Sequence, residues 1–156
     1  MLELLVVVAI ITMTAAAAVL SIGVTADANP LQQETRRLAD TAEFAADQAV
    51  FTGTRIALQL DQGGYRLMQW RRNEWIPISQ QHPLAVAHRL PATIELSIAN
   101  GRGGWRKDAR QAITFDPEGL ASPTSIRLSD HSDHNESVVD ISATASVEVR
   151  RVNGIG

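Results

Sequence analysis

The chain has 156 residues, 45% of them hydrophobic and 20% charged, which suits one modest domain with a small core plus an appendage. A formal net charge of -3 argues against a broad polyanion-binding surface, and nucleic acid is not the default partner. The absence of cysteine excludes disulfides, thiol catalysis and thiolate metal sites, and leaves the redox compartment open.

No residue from Leu4 to Val24 is charged. At roughly 1.5 Å per residue this run makes a helix of about 30 Å, the thickness of a bilayer core. Its first half, Leu4 to Ile11, is apolar on every face, and its second half mixes Ala, Thr, Ser and Gly. A cleaved secretory signal would carry a basic n-region, yet the first basic residue is Arg36. A buried core helix, apolar all round, would need a larger protein around it. The reading that remains is a transmembrane anchor over residues 1–26. Glu3 precedes this run, and in physical terms it reads as a carboxylate at the headgroup level, favourable at a helix N-terminus.

Pro30 would break a continuous helix, and a second pattern starts there. Asn29 can cap it with Pro30 at the first helical position, and Gly53 is a suitable C-cap. Leu38, Ala42, Ala45 and Ala49 form one stripe, while Arg36, Arg37, Asp40, Glu43 and Asp47 mostly fall off it. The spacing predicts an amphipathic stem helix over about 30–52 with a small-residue face for close packing on a sheet.

Beyond Gly53 the period changes to two. Strands are expected at Arg55 to Leu60, Tyr65 to Trp70 and Trp75 to Ile78, the last an edge segment because Pro77 cannot donate to a ladder. Further strands are expected at Thr93 to Ile98, Ala112 to Phe115, Ser125 to Leu128, Ser137 to Ile141 and Ser146 to Val149. The β-rich region, about 54–150, follows the helix without any βαβ repeat. That order is α+β, with a long N-terminal helix packed on antiparallel β-sheets. The domain division expected is 1–26 for the anchor and 27–156 for the globular part.

The string from Leu2 to Ile11 resembles the N-terminal signature of type IV pilins and type II secretion pseudopilins. In that family a basic leader ending in Gly is removed by a membrane peptidase, and the mature chain begins Phe-Thr-Leu-Ile-Glu-Leu with a methylated first residue. Glu3 matches the signature acid, Leu2 the residue before it, and Met1 the leucine position two before it. An in-frame leader ending Gly-Phe-Thr is therefore expected upstream of the codon for Met1. Farther along, six stretches are similar to the H-type minor pseudopilins of type II secretion systems. They are Ala49 to Gly53, Ile56 to Leu60, Gly64 to Leu67, Trp75 with Pro77, Arg89-Leu90-Pro91, and Ile113 to Gly119. The resemblance covers nearly the whole chain.

It implies a pilin-like fold and a structural subunit near the tip of a pseudopilus that supports protein export across the outer membrane. It also implies a single-pass bacterial inner-membrane protein with its globular part in the periplasm. The partners implied are other major and minor pseudopilins, inner-membrane lipid, and the prepilin peptidase where a leader is encoded. Glu3 would face the N-terminal amine of a neighbour inside the helix bundle.

No enzyme is expected, since the chain lacks a dinucleotide fingerprint, a phosphate loop and a Gly-x-Ser-x-Gly elbow. No cofactor is implied. The run Asp130 to Glu136 offers carboxylates and imidazoles, but it lacks the acid spacing and central Gly of a calcium loop, and it is read as a solvated turn. The rival function is DNA binding, which a related pilus subunit class performs through a basic C-terminal region. Arg150 and Arg151, with Arg102, Arg106, Lys107 and Arg110, are its candidate contacts.

Overall fold

The computed structural model describes residues 29–78, 81–99, 102–107, 110–132 and 134–152. The anchor expected over 1–26, and Glu3 with it, lies outside the described residues. Among the described residues no helix is long and apolar enough to cross a membrane.

The stem helix, α1, runs Pro30–Thr52. Asn29 Oδ1 accepts from Leu31 N at 3.0 Å, and Pro30 stands at the first helical position, where its missing N–H costs nothing. Gly53, left-handed at φ 62, ends the helix by donating to Ala49 O. Leu38, Ala42, Ala45 and Ala49 are all fully buried, as their spacing requires. Two buried threonines extend that face without orphaned hydroxyls: Thr35 donates to Leu31 O at 2.6 Å and Thr41 to Arg37 O at 2.7 Å.

Among the described residues ten strands follow: β1 (Ile56–Asp61), β2 (Gly64–Arg71), β3 (Glu74–Pro77), β4 (His88–Arg89), β5 (Ile94–Ala99), β6 (Trp105–Arg106), β7 (Gln111–Phe115), β8 (Thr124–Asp130), β9 (Glu136–Ile141) and β10 (Val147–Val152). They form two antiparallel sheets. The first has the order β3-β2-β1-β7, with β4 added to β2 beyond the end of β3, and the second has the order β10-β9-β8-β5-β6. β3 is an edge strand, as Pro77 demands.

The chain crosses between the sheets three times, so both inner faces share one core with α1. Leu58 lies opposite Leu67 on one side and Ile113 on the other, and Leu96 opposite Leu128. All five are buried. Alanines on α1 let the helix axis lie close to both sheets. Apart from shifts of one or two residues at strand ends, expectation and structure differ at three places. β4 and β6 are two-residue strands, too short to show a period, and β10 continues through Arg150 and Arg151 to Val152.

Between β3 and β4, residues 81–87 form a strap over α1. Arg37 Nη2 donates to Pro83 O at 3.3 Å, the Phe44 and His82 rings stack at 4.3 Å, and His88 Nε2 meets Glu34 Oε2 at 2.6 Å. The strap closes onto β2 at Gly64. A Cβ there would sit 2.0 Å from His88 O, so only glycine admits the approach.

Candidate functional site

Arg150 and Arg151 are adjacent on β10, and alternation sends them to opposite faces of the sheet. Arg150 Nε donates to Asp140 Oδ2 at 2.6 Å, and Ser125 donates to the other oxygen of that carboxylate. The Arg150 hydrogen bond holds the Asp140 carboxyl below its ordinary value, partial burial opposes it, and Ser125 assists. Arg151 Nη2 instead reaches Gln32 Oε1 on α1 at 3.4 Å. Arg106 lies on β6, at the opposite edge of the second sheet from β10. Lys107, beside it, pairs with Glu95 at 2.9 Å. Three intervening strands, at about 4.8 Å per step, hold the C-terminal arginines and this pair roughly 19 Å apart. The rival set of basic residues is therefore dispersed and partly neutralised.

The polar run between β8 and β9 is a hairpin connection whose groups serve the turn. Asp130 is buried, its carboxylate accepts from Ser132 N at 2.8 Å, and its own N–H donates to Asn135 O at 3.0 Å. His131 Nε2 lies 3.4 Å from Glu95, and Glu136 faces Arg127 at 3.4 Å. Asp133 lies outside the described residues. Among the described residues no three His, Asp or Glu side chains are placed to hold a metal ion.

A polar cluster that the sequence does not announce lies under the strap. Glu34 and Arg37 from α1, Tyr65 from β2 and His88 from β4 meet there, although Glu34 and His88 are 54 residues apart. Tyr65 is buried, and desolvation pushes its phenol up to about 12, while the neighbouring Thr41 hydroxyl offsets part of the rise. Tyr65 Oη and Arg37 Nε are buried without a hydrogen bond of standard geometry.

The remaining features are surfaces. Along the outer side of α1 run Arg36, Asp40, Glu43 and Asp47, all exposed, and Phe51 continues the line with 88% of its surface in solvent. Asp47 and Phe51 are four apart, so the spacing alone places Phe51 on the wet side. Trp70 and Trp75 pack edge to face at 5.1 Å on the outer face of the first sheet, beside the exposed Arg71 and Arg72 at the β2–β3 turn.

These features describe a helix laid across two antiparallel sheets with charged and aromatic surfaces outside. The family described as "Type II transport protein GspH" matches residues 34–145. A crystal structure of the minor pseudopilin EpsH from the type II secretion system of Vibrio cholerae superimposes with a TM-score of 0.67 at 12% identity, covering 82% of this chain and 98% of that one. A second structure of EpsH gives 0.63 at 10% identity, covering 82% and 100%. The solution structure of E. coli GspH gives 0.62 at 15% identity, covering 85% and 96%. No curated protein matches the chain significantly.

The fold is thus the pilin-like one of pseudopilin heads. The chain belongs to the GspH family and is a minor pseudopilin of the type II secretion system.

Proposed function

We propose that this pseudopilin sits near the tip of the pseudopilus and supports export of folded proteins across the outer membrane. The family match over residues 34–145 carries the reading. Residues 1–26 hold the subunit in the inner membrane as a single span, and residues 27–156 form the periplasmic head. Inner-membrane lipid surrounds the span before assembly, and the prepilin peptidase is a partner where a leader is encoded upstream. On entering the filament, the apolar segment exchanges lipid for the helices of neighbouring pseudopilins. Glu3 is then the carboxylate that an apolar bundle tolerates only when paired, and the N-terminal amine of a neighbour is the group that pairs it.

The test is export by cells whose own copy of the gene is deleted, complemented with the full reading frame including its upstream codons. Wild type is expected to restore secretion, and Glu3→Leu to reach the membrane in normal amount while restoring little or none. Full export with Glu3→Leu would remove the pairing role. Absence of export with wild type would sink the reading itself.

A further inference from the structure

Each sheet has two edges, and an edge strand carries backbone donors and acceptors with no partner in its own sheet. Three of the four edges are blunted. At β3 the bond from Ile78 N to Leu67 O turns Pro77 toward the open side, where it has no N–H to offer, and β4 beside it has two residues. β7 is capped by the chain that follows it, as Ser122 N donates to Thr114 O and Ala121 bridges Phe115. β6 has two residues, too few to template another strand.

The fourth edge is open. β10 has six residues, and among the described residues no strand or loop bonds to its outer side. Ser142 N donates to Ser146 O, so alternation along the β9–β10 ladder directs Glu148, Arg150 and Val152 toward β9. The backbone N–H and C=O groups of Val147, Val149 and Arg151 are thereby turned outward, three donors and three acceptors in a row. The side chains of the same three residues lie on the inner face, opposite the buried Ile141, Val139 and Ser137. Val149 is nonetheless 46% exposed, since no strand continues the sheet beyond it. The charges that could guard this edge are drawn back over the protein: Arg150 is held by Asp140 with Glu148 beside it, and Arg151 reaches Gln32 on α1.

We propose that β10 is the docking edge for an extended segment of a different pseudopilin, which adds to the sheet as an antiparallel strand. This rests on the filament reading above, in which the neighbours of a minor, near-tip subunit are other pseudopilins. An open edge is complementary to extended backbone, and the side chains along it select among segments. Opposite Val147 and Val149 the segment presents apolar side chains that continue the cover of the core. Opposite Arg151, whose guanidinium has no carboxylate partner among the described residues, it presents an acid. In antiparallel register the segment therefore reads acid, any residue, apolar, any residue, apolar.

Residue-resolved amide exchange tests the contact on the full-length chain in detergent micelles, alone and mixed in turn with each other full-length pseudopilin of the same bacterium. Alone, the amides of Val147, Val149 and Arg151 are expected to exchange quickly and those of Glu148 and Arg150 slowly. With one of the partners the outward three are expected to slow by about tenfold or more, while the inward two hold. Val149→Pro deletes an outward donor and no bond of the β9–β10 ladder, and is expected to weaken retention of that partner by about tenfold. Val149→Thr keeps the donor and is expected to retain it. Slow exchange at Glu148 and Arg150 establishes that each variant is folded, and Val149→Lys, a charge at the exposed rim, replaces the proline variant if that one is not. Outward amides already slow in the isolated chain, slowing that grows with the chain's own concentration, or partners that bind without protecting these amides each overturn the contact. If wild type restores export while no pseudopilin protects them, this contact alone fails. Loss of wild-type complementation fails the filament reading instead.

Discussion

The two long faces of α1 follow opposite rules. On the inner face Leu38, Ala42, Ala45 and Ala49 are fully buried, and what matters there is volume, since each side chain must fill the space between helix and sheets. On the outer face Asp40, Glu43 and Asp47 are exposed and form no ion pair among the described residues, and what matters there is charge. The contrast shows that one helix can be made secure by its packing while carrying surface electrostatics that packing does not require.

The contrast is broken most sharply from inside. Leu38→Ala removes a buried side chain between helix and sheet without room to collapse, and is expected to destabilise the head by about 3 kcal/mol. Chemical denaturation measures it directly. A loss under about 1 kcal/mol would mean that the sheets relax onto the helix and that the inner face is less constrained than its burial implies.

A smaller effect separates packing from titration at the strap. The Tyr65 phenol is raised from 10.0 to about 12 by burial, so the folded state favours its neutral form. The stabilisation is fully present below pH 10, fades as pH climbs, and is gone above about 12, where on the order of 2 kcal/mol has been lost. Tyr65→Phe keeps the ring, removes the titrating group, and is expected to flatten the alkaline limb of the stability profile. An unchanged limb would assign the alkaline loss to another group.

The faces of α1 were legible because helical period and caps are local. Asn29, Pro30, Gly53 and the alanine stripe specify start, end and inward side within one stretch of chain. The strands were legible for the same reason, as alternation marks which residues face inward. Partnership was not legible. Ile56 pairs with Phe115 across 59 residues, and alternation tells which face a side chain takes but not which strand lies beside it. The strap and its Glu34–His88 pair escaped because their segment has no period and its partners come from two distant elements. Arg150 reads as a free cation at the chain's end until the β9–β10 register brings Asp140 diagonally across from it.

The smallest expected effect bears most on what the outer face is for. Asp47→Lys replaces one carboxylate of the like-charged line with a cation one turn or so from the negative end of the helix dipole. Both changes favour the isolated chain, by about 0.5 kcal/mol together, readable as a small rise in thermal midpoint that shrinks with added salt. A rise of that size would mean that the acidic line costs the free subunit stability that packing does not require. Were the midpoint unchanged or lower, the line would be no more than a solvated helix face, and the difference between the two sides of α1 would reduce to burial alone.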